Sequence, residues 1–418
     1  MPVRRRRRCG SRPRAPKLFV PLSDRNPKTM RITVTRVVAT LLVATAAIAT
    51  TGRAAELTQA HIRQIVTQQV APAMKQYAIP GVAIGVIVDG KRYVFDYGVM
   101  SKDTGKPVTA DTLFEIGSVS KTLTATLAAD AQEGGELSLS DPVARYVPAL
   151  NGKPAGALTL LELGTHTAGG LPQQVPDAIH DDATLIGYFD AWRPASVPGT
   201  QRVYSNVGIG TLGWITAKAM KRDFAELMER RLFPALGMTH TYIDVPDARR
   251  ADYAQGYTTD GTPIRMKPGG LWQPAYGVRT TATDLLRFVQ ANMGGIDIAP
   301  RLQRAIERTH TGYFRAGPLT QDLIWEQYPY PVALPTLLEG NASKMLSDAV
   351  PAVALTPPLA PQRNVWINKT GSTNGFSTYV AFVPAKRIGF VMLANRRVPN
   401  EVRVEIAYRI LASLGGAR

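Results

Sequence analysis

Serine and lysine stand three residues apart in the run Ser118-Val119-Ser120-Lys121 of this 418-residue chain. The run opens a predicted helix over residues 122–132, and residues three apart at a helix start share a face, so the two side chains can meet. A serine hydroxyl needs a neighbouring base to become a nucleophile, and the N–H groups of a helix N-terminus stabilise developing negative charge. Because such a pair is expected about once by chance in a chain of average composition, it is weak evidence alone.

Two later motifs supply what a serine nucleophile lacks. A Tyr-Ser-Asn motif at 204–206 lies in a predicted loop before a helical run at 208–220. A Lys-Thr-Gly motif at 369–371 follows the strand-like run 364–367. In this order and in these contexts, the three motifs form the acylation apparatus of S-x-x-K enzymes.

The residue types suggest a role for each side chain. Ser118 attacks a carbonyl, and Tyr204 and Lys121 manage its proton. Asn206 holds Lys121 and the substrate amide, and Lys369 adds positive charge across the cleft. A free Tyr titrates near pH 10, and two nearby ammonium groups lower that pKa. A neutral Lys121 as the base, with Tyr204 as a relay, is an equally open alternative.

The elements that must position these motifs are predicted from hydrophobic periodicity. A helical period covers residues 57–77, and two strands flank Asp89-Gly90, the strongest short-range hairpin signal. A second hairpin is predicted around the turn at 384–387, and a helix with one apolar stripe closes the chain at 402–414. This pattern predicts an α/β (α+β) fold, in which an antiparallel sheet flanked by helices is built from both chain ends and carries an inserted all-helical lobe.

Domain boundaries follow from the same pattern. We expect an upstream extension and signal peptide at 1–55, a mixed α/β lobe from 56–133 and 281–418, and a mainly helical lobe at 134–280. The active site is expected at the interface of the two lobes. Residues 311–361 are rich in Pro and polar side chains, which predicts long loops near a cleft.

Charge and cysteine content exclude several classes of protein. One Cys cannot build a disulfide scaffold or a thiolate metal cluster, and the five His residues show no paired ligand spacing. No metal or cofactor is therefore predicted, and His166 is expected to brace a turn. Residues 1–55 hold 13 of the 49 Lys and Arg and one of the 32 Asp and Glu, so the net charge of +17 falls to +5 beyond them. The basic signal belongs to the leader, and no nucleic-acid partner is predicted.

The leader has the three parts of a secretory signal peptide. A positive run at 30–36 is followed by an apolar run at 37–49 and a segment of small residues at 50–55. The apolar run is shorter than the roughly 20 residues that span a bilayer, and no Cys follows it to carry a lipid. We predict export to the periplasm with no stable membrane anchor, and we expect a monomer.

With these motifs in place, the chain resembles the class C serine β-lactamases, or cephalosporinases. The resemblance runs from residue 57 to residue 414 and includes matching segments at 171–177, 198–202, 275–278, 391–395 and 399–403. Class A enzymes carry Ser where this chain has Tyr204, and they use a separate glutamate motif that is not found here. The resemblance implies a β-lactamase/transpeptidase-like fold and a small-molecule β-lactam substrate.

The resemblance also implies a role for each site residue. Ser118 would be the acyl-ester nucleophile and Tyr204 the proton acceptor, and the backbone N–H groups of Ser118 and Ser372 would form the oxyanion hole. The catalytic set would be Ser118, Lys121, Tyr204, Asn206 and Lys369. The substrate-binding set would be Gln174, Tyr276, Thr370, Gly371, Ser372, Asn400 and Arg403.

Within the second set, Gln174 would contact the amide side chain of the drug together with Asn206, and Tyr276 would line the pocket for the R1 group. Thr370 and Asn400, with Arg403 nearby, would bind the carboxylate.

Several of these residues have plainer alternatives. Gln174 could be merely exposed, Tyr276 could be ordinary packing, and Asn400 could cap the last helix. Arg403 on a helix is more often a solvated charge. Glu326 aligns with a carboxylate beside the Lys/Tyr pair of the family, with surface exposure as the alternative. The run at 372–375 is bulkier than the family's usual version, which puts the fit of large drug side chains in doubt.

Four functions remain open, and β-lactam hydrolysis, best for cephalosporins, is the main prediction. A D-alanyl-D-alanine carboxypeptidase and an S-x-x-K esterase would use the same nucleophile and differ in the rate of deacylation and in substrate. A non-catalytic cell-wall binding protein is the fourth. Such a protein would normally have lost Ser118, Tyr204 or Lys369, and all three are present.

Overall fold

Residues 58–415, the part of the chain that the computed structural model describes, form fifteen strands. In chain order these are β1 (Gly81–Val88), β2 (Lys91–Gly98), β3 (Phe114–Glu115), β4 (Gln201–Arg202), β5 (Thr241–Tyr242), β6 (Gly256–Tyr257), β7 (Pro263–Ile264), β8 (Arg279–Thr280), β9 (Gly312–Ala316), β10 (Leu319–Gln321), β11 (Glu326–Pro329), β12 (Val350–Leu359), β13 (Val365–Ser372), β14 (Ser377–Val383) and β15 (Ile388–Ala394). The predicted signal peptide and the extension before it lie outside the described residues.

Ten of these strands form one antiparallel sheet in the order β2-β1-β15-β14-β13-β11-β10-β9-β12-β4. β1, near the start of the described chain, pairs with β15 near its end, from Val82 opposite Ala394 to Val88 opposite Ile388. Every residue of β1, β14 and β15 is buried, which requires cover on both faces of the sheet. Apart from β4, the sheet is built from residues 81–98 and 312–394, and the predicted fold class is confirmed. The inserted region is not all-helical, because it also holds the two-residue strands β4 to β8.

Both predicted hairpins are confirmed. Asp89 and Gly90 join β1 to β2 with φ angles of +53° and +79°, the two positive values that a two-residue turn of type I′ needs. β14 and β15 are joined by a short 3-10 turn, Pro384–Lys386, which is followed by Arg387 at φ +53°. These turns fix the register of four strands in the large sheet.

Fourteen α-helices accompany the strands in the described residues. They are α1 (Gln59–Gln76), α2 (Ser120–Glu133), α3 (Pro154–Ala157), α4 (Leu160–Gly164), α5 (Asp182–Ala191), α6 (Asn206–Ala219), α7 (Phe224–Leu227), α8 (Phe233–Leu236), α9 (Trp272–Tyr276), α10 (Ala282–Asn292), α11 (Pro300–Arg308), α12 (Leu334–Gly340), α13 (Lys344–Ser347) and α14 (Asn400–Gly415). α1 and α14 pack with Val82 and Ile84 of β1. α2 and α10 pack with Ala83 and Ile87, which point to the other face.

A third hydrophobic cluster joins α3, α4, α5, α6 and α9, whereas α7 and α8 pack in the cluster of α2 and α10. α6 and α9 pack against α2, and residues 120–131 of α2 are all buried. α2 is therefore shared between the sheet and the helical region, and its N-terminal end lies where the two meet. The lobe boundaries at 133 and 281 stay a prediction.

The prediction of long loops at 311–361 is wrong. This stretch forms β9 to β12 of the large sheet together with α12 and α13. β9, β10 and β11 are three to five residues long, too short for an alternating pattern to stand out in the sequence. β12 is mostly exposed and contains three Pro residues, which a strand near a sheet edge tolerates because fewer of its N–H groups are needed for pairing.

Candidate active site

Ser118 and Lys121 are positioned by the change from strand to helix. β3 leads into a 3-10 turn at Gly117–Val119, and α2 begins at Ser120. The Lys121 ammonium donates a hydrogen bond of 2.8 Å to Ser118 Oγ and another of 2.7 Å to the carbonyl oxygen of Ala275. Ser118 is half-buried and Lys121 fully buried, and the predicted contact between them is confirmed.

The backbone of this 3-10 turn lies directly against β13, the strand of the Lys-Thr-Gly motif. Gly117 has a φ of +50°, and a Cβ on it would lie 2.5 Å from the backbone of Ser372. A Cβ on Gly371 would lie 2.1 Å from the carbonyl oxygen of Ile116. Glycine at both positions permits this close approach, which brings Ser118 beside Ser372.

Tyr204 stands in the loop before α6 and is braced by His166. His166 Nδ1 accepts a hydrogen bond of 3.2 Å from the Ser205 N–H, and its ring lies 4.3 Å from the Tyr204 ring, centroid to centroid. His166 therefore braces a turn, as predicted. The Nζ atoms of Lys121 and Lys369 lie 5.3 Å and 5.0 Å from the Tyr204 ring centroid.

Charge and burial bring the pKa values of Tyr204 and Lys121 together. Burial alone would raise the pKa of Tyr204, but the ammonium groups of Lys121 and Lys369 outweigh it and lower the pKa to about 8, with a further contribution from the nearby Ser118 hydroxyl. Burial lowers the pKa of Lys121 to about 8. Two coupled groups with such similar values can share a proton, so the pair is suited to accept the Ser118 proton near neutral pH.

A buried ion-pair network adjoins Lys369. Glu326 accepts a hydrogen bond of 2.8 Å from Arg202 and lies 3.8 Å from Lys369 Nζ. The exposed alternative for Glu326 is wrong, since the residue is 4% exposed. Sequence reasoning missed Arg202, whose guanidinium carbon lies 5.6 Å from the Tyr204 ring centroid. The signal that could have found it is its position two residues before Tyr204, inside the matching segment 198–202.

A cavity of about 760 Å³ lies at Ser118. Members of both predicted sets line it, namely Ser118, Gln174, Tyr204, Asn206, Tyr276, Thr370, Gly371, Ser372, Asn400 and Arg403. Lys121 and Lys369 are fully buried next to it and contact Ser118 and the Tyr204 ring. The structure therefore brings all twelve residues to one cavity from distant segments of the chain.

Asn206 is placed differently from its expected role beside Lys121. The hydrogen bonds of Lys121 go to Ser118 and Ala275 rather than to Asn206. The side-chain oxygen of Asn206 is buried and has no hydrogen-bond partner among residues 58–415. Asn206 nevertheless lines the cavity, so the residue is next to the space that a substrate would occupy.

Arg403 is not the solvated charge that an arginine on a helix suggests. It is 1% exposed and donates hydrogen bonds of 2.6 Å and 2.7 Å to the carbonyl oxygens of Gly371 and Thr378. It also contacts the side chains of Ser372 and Asn400. Burial lowers the pKa of Arg403 to about 9, which keeps it charged at neutral pH. Arg403 therefore holds the end of β13 and Asn400 in place at the cavity wall.

The site has the parts that acyl transfer requires. A hydroxyl at the start of a helix is hydrogen-bonded to a lysine and lies close to a tyrosine of lowered pKa. Within residues 58–415, no three His, Cys, Asp or Glu side chains are grouped to hold a metal ion. The fold and the site together define a serine acyl hydrolase of the S-x-x-K class.

Comparison with known proteins gives a finer result. A β-lactamase family model matches residues 64–414. The β-lactamase of Lysobacter lactamgenus is 51% identical over 351 residues, which cover 84% of this chain and 91% of that protein. A solved structure of D-alanine carboxypeptidase AmpC from Burkholderia cenocepacia is 76% identical with a TM-score of 0.83, covering 85% of this chain and 100% of that one. A class C β-lactamase solved in complex with cefoxitin is 48% identical with a TM-score of 0.83, covering 85% and 99%.

The chain belongs to the β-lactamase family. Its fold is that of the class C enzymes, and the predicted enzyme class, a serine β-lactamase, is confirmed. None of the helices in residues 58–415 is long and apolar enough to cross a bilayer.

Proposed function

We propose that the chain hydrolyses the amide bond of β-lactam antibiotics, cephalosporins best, through an acyl-enzyme on Ser118. The Ser118 oxygen attacks the carbonyl carbon while its proton passes to the Tyr204–Lys121 pair. The ring C–N bond then breaks, and the ring nitrogen takes up a proton. Water attacks the resulting ester, the Ser118 oxygen recovers a proton, and the opened drug leaves.

The observation that carries this proposal is the hydrogen bond of 2.8 Å between Lys121 and Ser118, beside a tyrosine whose pKa is lowered to about 8. We assign the proton acceptor to Tyr204 and Lys121 as a unit, because the pKa of Lys121 is lowered to the same region. Two nearby ammonium groups favour the Tyr204 phenolate, and burial favours a neutral Lys121.

The remaining residues of the cavity would orient the drug. The backbone N–H groups of Ser118 and Ser372 would bind the oxygen that becomes negative in the transition state. Thr370 and Asn400 would bind the carboxylate of the drug. Three residues on the cavity wall would contact the acyl side chain of the drug: Gln174, Asn206 and Tyr276.

We also propose that the mature protein is an exported periplasmic monomer that starts near residue 56. The three-part leader at 30–55 supports export, and its apolar run is too short to serve as a stable anchor.

A second candidate function is D-alanyl-D-alanine carboxypeptidase activity. The solved structure with 76% identity carries the name D-alanine carboxypeptidase. The same Ser118 would attack the amide before a terminal D-alanine, whose carboxylate would occupy the place of the β-lactam carboxylate. The two functions differ in how quickly the acyl-enzyme reacts with water.

Intact-mass spectrometry during turnover of a cephalosporin tests the covalent mechanism. The wild type is expected to show burst kinetics and a drug adduct on the peptide that contains Ser118, whereas Ser118→Ala shows neither. Ser413→Ala, on the exposed face of α14, is the matched control and keeps both. Turnover or an adduct in purified Ser118→Ala would contradict the proposal.

The same samples separate the candidate functions. A penicillin adduct that decays within seconds, with many turnovers of drug, supports the β-lactamase. A long-lived adduct, together with release of D-alanine from an acyl-D-alanyl-D-alanine peptide, supports the carboxypeptidase. Hydrolysis of aryl esters alone would leave only the esterase.

A further inference from the structure

The cavity at Ser118 carries more positive charge than one carboxylate requires. Among residues 58–415, four cations and one acid line it, namely Arg265, Lys267, Arg397 and Arg403 against Glu401. Arg403 holds Asn400, and Arg397 lies three residues before Asn400, so both belong to the wall proposed for the carboxylate of the drug. Arg265 and Lys267 have no role in that wall.

Arg265 and Lys267 lie on a fixed segment beside Tyr276. A Cβ on Gly269 would lie 3.7 Å from the Tyr276 hydroxyl, so the segment runs next to the wall proposed for the acyl side chain. Between the two cations, the Met266 N–H donates a hydrogen bond of 2.8 Å to the buried carboxylate of Glu115. The position of the segment is therefore set by the core.

Within residues 58–415, Arg265 makes no ion pair with an acidic side chain. Its guanidinium donates to the carbonyl oxygens of Tyr253 and Ala254 at 2.6 Å and 3.1 Å and lies 4.3 Å from the Tyr253 ring centroid. Glu115 is the acid in contact with this segment. It accepts a hydrogen bond from the Tyr253 hydroxyl, which in turn accepts one from Arg279, so the charge of Glu115 is shared with a second cation.

Lys267 is the free cation of the segment. Its side chain is exposed at the cavity mouth and, within residues 58–415, makes no hydrogen bond or ion pair. A mobile ammonium at a cavity mouth attracts an oppositely charged substrate group, and salt screens that attraction.

We propose that Lys267, with Arg265 beside it, determines specificity by favouring substrates whose acyl side chain carries a negative charge. This inference rests on the proposed function and deepens it by naming the substrate class. The class comprises β-lactams with a carboxylate on the side chain and, for the carboxypeptidase reaction, acyl-D-alanyl-D-alanine peptides with an acidic group in the same place. One cation about 8 Å from the added charge changes kcat/KM about fivefold when the pair is partly solvated.

A matched pair of penicillins tests this preference. Benzylpenicillin and its α-carboxy analogue differ by one carboxylate on the acyl side chain, so the ratio of their kcat/KM values isolates that group. We expect the ratio of charged to uncharged drug to fall about fivefold in Lys267→Gln and about tenfold or more in Lys267→Glu. Raising the salt from about 0.05 M to about 0.5 M should lower the wild-type ratio towards that of Lys267→Gln.

Lys386→Gln is the matched control. It removes the same charge from an exposed position on the turn between β14 and β15, outside the cavity, and is expected to leave the ratio unchanged. The ratio of kcat/KM is measured in the same variants for an acidic and a neutral acyl-D-alanyl-D-alanine peptide, which tests the charge preference for the carboxypeptidase substrates.

Binding to Ser118→Ala separates this inference from the proposed function. In that background, the dissociation constants of the two penicillins report the preference without turnover. If neither drug is hydrolysed by the wild type, the proposed function fails, while a Lys267-dependent difference in dissociation constants still supports the inference. If the ratios are equal for wild type, Lys267→Gln and Lys267→Glu in both assays, the inference is overturned and the proposed function stands.

Discussion

The pKa of Tyr204 depends on two cations and one anion. Lys121 and Lys369 lower it against the effect of burial, and Glu326 raises it. Because the acceptor of the Ser118 proton must be deprotonated to act, kcat/KM is expected to fall as the pH drops below about 8. This fall is the acid limb of the pH profile of kcat/KM, and the pH at which it occurs depends on the charges around Tyr204.

Lys369→Met and Glu326→Gln are expected to move the acid limb in opposite directions. Loss of the Lys369 ammonium raises the pKa of both Tyr204 and Lys121, so the limb moves up by about one pH unit. Loss of the Glu326 carboxylate lowers the pKa of Tyr204, so the limb moves down. The pH profile of kcat/KM on a chromogenic cephalosporin measures both shifts.

Two controls accompany these variants. Lys386→Met removes a charge outside the cavity and should leave the limb in place. Glu326→Gln leaves the buried Arg202 without its carboxylate partner and is expected to lose about 3 kcal/mol of unfolding free energy, so its fold is checked by circular dichroism first. Shifts of the limb in the same direction would show that these charges do not act through Tyr204.

Tyr204→Phe addresses the choice between the two bases. The substitution removes a buried hydroxyl that has no hydrogen-bond partner of ordinary geometry among residues 58–415, so its structural cost is small. If Tyr204 accepts or relays the proton, kcat falls by about 10² or more, the usual loss for general base catalysis. A fall of less than about tenfold would assign the proton to Lys121 alone.

At the level of elements, we expect catalysis to depend on the contact between the 3-10 turn before α2 and β13. Gly117→Ala inserts a methyl group where the backbone of Ser372 lies 2.5 Å away, so the turn must move. A shift of about 1 Å at a reacting group costs about 10² in rate, and we expect a loss of that size in kcat/KM. Gly105→Ala is the matched control, because Gly105 also has a positive φ, +64°, but no atom lies within 4 Å of its Cβ position. Equal activity in the two variants would exclude the contact as a cause.

Local sequence signals were enough to predict the parts of the fold that depend on neighbouring residues. Asp89 and Gly90 accept positive φ, which fixes a hairpin. The spacing of Ser118 and Lys121 on one helix face gives their contact directly. The strands within residues 311–361 escape such signals, because they are short and owe their stability to sheet neighbours.

In the candidate site too, the residues of local motifs could be predicted from the sequence, whereas contacts between distant residues could not. Its motif residues were found because each motif is local, but the ion pair of Arg202 with Glu326 joins residues 124 positions apart. The burial of Arg403 likewise depends on carbonyl groups of β13 and β14. Such contacts follow from tertiary packing, which no local pattern records.

At the scale of the whole molecule, the site lies where the three hydrophobic clusters meet. Val119 beside Ser118 belongs to the cluster of α2 and α10, and Val207 beside Asn206 belongs to the cluster of the inserted helices. Val398, which lines the cavity, belongs to the cluster of α1 and α14. The site geometry therefore depends on all three clusters, and conditions that loosen any one of them should reduce activity.

A buried histidine in this packing makes the molecule sensitive to acid. His310 follows α11 and its Nε2–H donates a hydrogen bond of 2.9 Å to Asn292 Oδ1, with the Trp325 and Phe382 rings beside it. Burial lowers the pKa of His310 to about 3, whereas an unfolded His titrates near 6.5. Between about pH 3 and pH 6.5, His310 is protonated in the unfolded chain and neutral in the folded chain, so the unfolding free energy decreases as the pH falls.

From pH 7 to pH 5 this linkage is expected to remove about 2 kcal/mol of unfolding free energy from the wild type, relative to His310→Gln. Urea unfolding of both proteins at the two pH values measures the difference. The low pKa of His166, which burial also causes, adds the same loss to both proteins and cancels in the comparison. His61→Gln, an exposed position on α1, is the control for the substitution itself. Gln is chosen because its side-chain amide can still donate a hydrogen bond to Asn292. If wild type and His310→Gln lose the same unfolding free energy between pH 7 and pH 5, His310 takes up its proton without unfolding the core, and the prediction is wrong.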